Sequence, residues 1–343
     1  MFSFKKPSVP AKKILLSGIK PTGRPHIGNY FGAMKQFLDM QDTYDCRIFI
    51  ADLHALTSMQ DGAALSQSTY DLALDYLAIG LDPKKVTLFK QSDTPQVTEL
   101  GWIFNCLTTM PYLMRAHAFK DAEAKNKEIN VGLFDYPLLM AADILIQDAD
   151  VVPVGQDQKQ HVEYARDTAE KFNRIFGGAA DVKETAVANT SADTFKLPEA
   201  LILDSVKTVP GIDGQKMSKS YNNHIPLFAT DEELRKLVMS IITDSAPGVE
   251  KRVPVNVRAI HELFRDKAYL DTLYAEKAGK YKDLKEALLA DLIAFVTPLR
   301  ARRAELAKDK SRVLAILAQG GKKARAQAEA KMAEVRKKTG LVV

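Results

Sequence analysis

Cysteine is nearly missing: among 343 residues only Cys46 and Cys106 occur, and no CxxC pair is present. Two separated thiols supply neither a disulfide framework nor a four-cysteine zinc site, so a reducing compartment is the simplest setting. No stretch reaches the about 18 consecutive apolar residues of a membrane span. The start, MFSFKKPSVPAKK, lacks the apolar run of a secretion signal. A cytoplasmic protein without a membrane partner is the expectation. Two nucleotide signatures are absent as well. No GxGxxG follows the first apolar run and GxxxxGK[ST] occurs nowhere, which removes the usual basis of dinucleotide and P-loop binding. Phosphate has to be held in another way.

The residues present suit a folded chain. Hydrophobic residues make up 46% and charged residues 27%, and at roughly 150 residues per domain the length suggests two domains. The net charge of +5 is unevenly placed: residues 301–343 carry 12 Lys or Arg against 4 Asp or Glu, while the remainder is slightly acidic. A basic helical end of this kind either forms a solvated surface or touches a phosphate backbone. Composition leaves both readings open.

Along the chain, ILLSG (14–18) reads as a strand, IKPTGRP as an irregular loop and HIGNYFGAMKQFLDM as a helix with apolar residues near a 3.6-residue period. The rhythm repeats in CRIFIADLHALT, QSTYDLALDYLAIGL and VTLFKQSD, and again in YPLLMAADILIQ, VVPVG and the helical segment from Gln156. Such alternation predicts an α/β fold, a Rossmann-like parallel sheet with a helical insertion and a C-terminal α-helical domain. The expected divisions are an N-terminal extension (1–13), a sheet domain (14–225) with its insertion near 96–135, and a helical domain (226–343). Thr230 and Glu233 have capping-box spacing. A helix ends before Pro298, another runs from there until Gly320 and Gly321 stop it, and the final helix is free to pack back on the sheet domain.

Three places bear chemistry. In PTGRPHIGN the glycines allow close backbone approach, His26 offers a donor, and Asn29 opens a helix whose free N–H groups favour an anion. In the Gly-, Pro- and Ser-rich segment 204–226, Lys216 and Lys219 bring two movable positive charges suited to a departing polyphosphate. Asp143 lies in a mostly apolar helix, and Gly155–Gln158 lie where a strand gives way to a helix, the edge at which parallel sheets bind ligands.

Taken together, HIGN (26–29) and KMSKS (216–220) resemble the two signatures of class I aminoacyl-tRNA synthetases, with Asn29 in place of the usual final histidine of the first. SGIKPTGRPHIGNYFGA, ADLHALT, YPLLMAADIL, VVPVGQDQKQHVEYARDTAEKFN, KMSKS and TDS, in this order, resemble successive segments of the tryptophanyl-tRNA synthetase family, from about Leu16 to the C terminus. The tyrosine-specific sister family is the nearest alternative, and a non-catalytic RNA-binding relative is a more distant one.

The resemblance implies activation of L-tryptophan by MgATP to tryptophanyl adenylate and transfer to the terminal adenosine of tRNA(Trp), by a cytoplasmic homodimer whose helical domain binds the anticodon. It implies that Asp143 accepts the indole N–H, that Met140 and Tyr136 shape the pocket, and that Gln158 and Tyr136 hold the polar end of the amino acid beside His54. ATP would be surrounded by Gly18, Lys20, His26, Gly28, Asn29, Gly155, Gln156 and Asp157 and by the loop residues Lys216, Met217, Ser218 and Lys219. The catalytic set would be His26, Asn29, Lys120, Lys216 and Lys219, with Mg2+ arriving on the phosphates and no protein metal site. Lys20 departs from the family, where glutamine is common. Trp102 is expected in the core or at an interface.

Overall fold

Among the described residues each strand-forming run pairs with a distant run lying parallel to it, and none turns back on itself as a hairpin. In a computed structural model that describes residues 11–124, 129–155, 159–177, 193–202, 209–243 and 253–342, five strands form one sheet. They are β1 (Ile14–Ile19), β2 (Asp45–Ile50), β3 (Val86–Lys90), β4 (Val151–Val154) and β5 (Glu199–Ile202). The order is β3-β2-β1-β4-β5 and every pair is parallel, with Ile14 opposite Asp45, Cys46 opposite Val86, and Val151 opposite Glu199.

Successive strand residues face opposite sides, and the core divides accordingly. Leu15, Ile48, Ile50 and Leu88 point to one face, where the helix Gly62–Ile79 and residues of the C-terminal helices cover them. Leu16, Phe49, Phe89 and Val152 point to the other, beneath the helices Gln96–Leu107, Val131–Ile146 and Lys159–Phe176. Local signals delimit these elements. Asp61 Oδ1 accepts the Ala63 and Ala64 N–H groups at 2.9 and 3.1 Å to start one helix, and Gly80 ends it at φ 116°.

Beyond residue 226 the described chain is helical. Thr230 and Glu233 close the expected capping box, Glu233 N–H to Thr230 Oγ1 at 3.2 Å and Thr230 N–H to Glu233 Oε2 at 2.7 Å. Two expectations are corrected. Pro298 lies inside the helix Tyr281–Ala307, and the terminal helix Lys310–Thr339 runs straight through Gly320 and Gly321. These glycines serve packing instead: a Cβ on Gly320 would sit 1.8 Å from the Leu88 carbonyl oxygen. The small size of Gly320 lets the helix lie directly against β3, the edge strand, and Gly321 leaves room for the Asp93 side chain just beyond it.

The uneven charge has an internal use. Arg303 donates to Asp75 at 2.5 Å and Asp71 at 2.9 Å, Arg336 to both Glu99 oxygens at 2.8 and 2.6 Å, and Lys331 to Asp148 at 2.8 Å. Part of the terminal basic excess thus holds the last two helices on the acidic sheet region. Among the described residues no helix is long and apolar enough to cross a membrane.

Candidate active site

The strand order reverses direction between β1 and β4, and a crevice opens beyond the C-terminal ends of parallel strands at such a point. A cavity of about 520 Å³ lies there, within the ~300–1,000 Å³ of small-ligand pockets. Leu16, Phe49, Met140 and Ile144 form apolar wall, and Lys20, His54, Tyr136, Asp143 and His161 add polar groups. Gly18 is required by a close approach: a Cβ there would fall 2.6 Å from the Phe49 ring.

Asp143 is brought to this cavity by the helix Val131–Ile146 and is only 4% exposed. Gln91, just past β3, donates its amide to both carboxylate oxygens at 2.9 and 2.8 Å, and His54 Nε2 meets Oδ2 at 2.9 Å. The Gln91 side-chain carbonyl accepts the His54 backbone N–H at 3.2 Å, which fixes which end of the amide faces Asp143. Burial pushes the Asp143 carboxyl above its ordinary range, and the hydrogen bonds from His54 and Gln91 oppose that rise. Oδ1 meets one of these partners where Oδ2 meets both, so the less occupied oxygen retains capacity for a ligand N–H. Along the adjoining wall the Tyr136 hydroxyl meets His161 Nε2 at 3.0 Å, and the Tyr136 ring stands edge-on to His54 with centroids 6.2 Å apart.

The two signature segments, almost 200 residues apart in sequence, come together next to this crevice. Ile27 N–H donates to the Ile225 carbonyl at 3.0 Å and Leu227 N–H to the Pro25 carbonyl at 2.9 Å. Gly28 lies between the His26 ring and Met217. His26 caps its own turn: Nδ1 accepts the Asn29 N–H at 3.2 Å while Asn29 Oδ1 accepts the His26 N–H at 3.1 Å. This assigns the ring proton to Nε2. Burial, with smaller contributions from Lys219 and His224, lowers the His26 pKa to about 4, so the ring is neutral near pH 7. Lys219 Nζ donates to the Thr22 and Gly23 carbonyls at 2.7 and 2.9 Å, tying the second signature to the first, and burial lowers its pKa.

Asn223, 2% exposed, organises the second signature turn. Its amide donates to Asp213 Oδ1 at 2.8 Å and the Lys216 carbonyl at 3.1 Å, and its oxygen accepts the Ser218 N–H at 2.8 Å.

The expected residues therefore fall into two groups. Gly18, Lys20, His54, Tyr136, Met140, Asp143 and Gly155 line the cavity. His26, Gly28, Asn29, Met217, Ser218 and Lys219 meet at the joined turns, where Met217 is buried and Lys216 is exposed. Lys120 is exposed on the short helix His117–Ala124 and does not reach the cavity wall. Gln156, Asp157 and Gln158 lie outside the described residues. Trp102 is 70% exposed on the helix Gln96–Leu107, which removes the core reading for it.

Gln91 and Asn223 join the site without a place in the motif pattern, and His161 joins it from within the segment 151–173, where the resemblance gives it no role. For Gln91 a signal existed, since it follows the last residue of a strand at the ligand-binding edge. For Asn223 none did, because its partners are set by the fold of the turn.

A sequence model of the family described as class I tRNA synthetases (W and Y) matches residues 11–297. The chain is 48% identical to a tryptophan–tRNA ligase of Fusobacterium nucleatum, covering 95% of this chain and 98% of that one. It is 45% identical to a tryptophan–tRNA ligase of Rhodopirellula baltica over 95% and 99%. The structure superposes with a TM-score of 0.85 on the Campylobacter jejuni tryptophanyl-tRNA synthetase complexed with ADP and tryptophan, at 40% identity and with 95% and 99% of the two chains covered.

Proposed function

The chain belongs to the class I tRNA synthetases that serve tryptophan and tyrosine, and it is a tryptophan–tRNA ligase; we propose that its cavity seats the amino acid while the joined signature turns hold MgATP. The observation that carries this division is a buried carboxylate, fixed by Gln91 and His54, facing an apolar cavity beside two signatures in mutual contact.

Asp143 accepts the indole N–H. A side chain without that donor leaves the carboxylate unpaired in an apolar wall, which makes the contact selective. Met140 and Tyr136 bound the ring, and Tyr136 with Gln158 receives the amino group. A tryptophan carboxylate oxygen attacks the α-phosphorus of ATP, the bond from that phosphorus to the bridging oxygen of pyrophosphate breaks, and pyrophosphate leaves with the electron pair. The nucleophile is already an anion, so orientation and charge stabilisation suffice and no covalent protein intermediate is needed.

Lys216 and Lys219 stabilise the departing phosphates, Lys219 exchanging two backbone carbonyls for phosphate oxygens as it does so. His26, neutral, donates from Nε2. Mg2+ enters on the phosphates as part of the substrate. The 2′-hydroxyl of the terminal adenosine of tRNA(Trp) then attacks the adenylate carbonyl and AMP leaves.

The region from 226 onward is assigned to the anticodon. Its free basic residues add salt-dependent phosphate contacts. Trp102, Met110 and Val131, exposed by 70%, 63% and 77% on neighbouring elements, support a homodimer interface, and cytoplasmic location fits the tRNA substrate.

Amino-acid-dependent ATP–pyrophosphate exchange tests the assignment. Tryptophan should drive exchange and tyrosine should not; exchange with tyrosine alone would replace it with the sister specificity.

A further inference from the structure

Lys20 is the only Lys or Arg among the described residues lining the cavity, and Asp143 is the only Asp or Glu. The two do not neutralise each other, since the carboxylate is taken up by Gln91 and His54. Lys20 Nζ instead lies 3.4 Å from Thr57 Oγ1 and 5.8 Å from the centre of the Tyr136 ring. An ammonium has three donors, and one long hydrogen bond to a hydroxyl leaves most of that capacity, and among the described residues all of the charge, uncompensated by a carboxylate. Burial lowers its pKa, the direction expected of a cation partly stripped of water with no anionic partner among the described residues.

The position is a boundary. Lys20 follows the last residue of β1, its carbonyl accepts the Thr22 N–H at 2.9 Å, and the Thr22 carbonyl in turn accepts Lys219. On its other side a run of contacts leads through Tyr136 and His54 to Asp143. An amino acid whose ring reaches Asp143 thus has its polar end toward Lys20, on the side where the phosphate-holding turn begins.

We propose that Lys20 is a catalytic residue that binds the carboxylate of the substrate tryptophan and orients it for attack on the α-phosphorus. The inference rests on the assignment above and adds a role to it. Lys20 keeps its proton throughout: it donates to the carboxylate oxygen that does not attack, and gives charge to the α-phosphate of the adenylate. Commitment to the carboxylate rather than the ATP phosphates comes from the contact of Lys20 with Tyr136, which bounds the amino acid, whereas Lys216 and Lys219 belong to the turn outside the cavity wall.

The test compares tryptophan with tryptamine, which has the same ring and amino group but no carboxylate, in equilibrium binding to wild type, K20Q and K20M. The glutamine common in the resembling family makes K20Q the safer variant for folding. Loss of a charge-assisted contact should weaken tryptophan binding by about 10-fold in K20Q and up to about 100-fold in K20M. Tryptamine binding should hold or tighten as a cation repelling its ammonium is removed, and the KM for ATP should stay within about 2-fold.

Equal weakening of tryptophan and tryptamine, unchanged tryptophan binding, or a selective rise in the KM for ATP would each overturn the role. Wild-type protein without tryptophan-dependent pyrophosphate exchange would instead sink the assignment on which the role depends. Wild-type exchange together with wild-type behaviour of K20Q and K20M would sink only the role of Lys20.

Discussion

The wall around Asp143 and the turn carrying Lys216 and Lys219, which the proposed function joins in one reaction, are built differently. Asp143, Gln91 and His54 are 4%, 1% and 6% exposed, and each is fixed by another of the three. The second signature turn is polar and partly open to solvent. It is held by one buried amide, Asn223, and by Lys219 on two backbone carbonyls. A buried carboxylate is costly to leave unpaired, so in the proposed function the first region is the one that discriminates between side chains. A lysine resting on carbonyls is readily transferred to a phosphate, so in the proposed function the second region is the one that supplies charge where it develops. Under the proposed function, selection falls to groups that stay fixed and acceleration to groups free to exchange partners.

Substitutions that hit one region and spare the other sharpen this contrast, and the largest effect is expected at the turn. K216A should slow single-turnover adenylate formation by about 10²–10³-fold while tryptophan binding stays near wild type; a parallel loss of tryptophan binding would break the contrast. D143A should reduce kcat/KM for tryptophan by about 100-fold with little change in ATP binding. N223A removes the amide that shapes the turn and should cost about 10-fold in adenylate formation, one lost hydrogen-bonding centre, without changing tryptophan binding.

The smallest effect concerns pH. His26 has a folded-state pKa of about 4, below its ordinary 6.5, so the unfolded chain binds the proton first as pH falls. Its contribution to folding stability therefore declines as pH drops from about 6.5 to 4 and is level above that window. H26N should unfold with a shallower pH dependence there, measured by denaturant midpoint; identical slopes for the two proteins would contradict a neutral buried ring.

Much of the fold is readable from local pattern. The apolar runs at 14–18, 46–50, 86–89 and 151–154 alternate with amphipathic segments, and that alternation implies parallel pairing. β5 escaped because it has four residues, none of them fully buried. Pro298 and Gly320 misled for a shared reason: a helix boundary inferred from propensity is a local argument, whereas Gly320 is small because β3 lies against it.

The cavity was legible wherever a residue type is itself unusual, as with a carboxylate in an apolar helix or glycine in a strand. Gln91 and Asn223 are ordinary amides whose importance comes from burial beside particular partners, which the folded chain alone brings to them. The terminal basic excess, read as a solvated or phosphate-facing helix, proves partly to be a clamp through Arg303, Lys331 and Arg336.

The separation of selection from acceleration is tested most directly by a double-mutant cycle on the tryptophan dependence of single-turnover adenylate formation, using D143A, K216A and the combined variant. Fixed and exchanging groups that act independently predict additive free-energy losses, with D143A raising the half-saturating tryptophan concentration and K216A lowering the plateau rate. A combined variant no worse than the more impaired single one, or both substitutions lowering the same parameter, would contradict it.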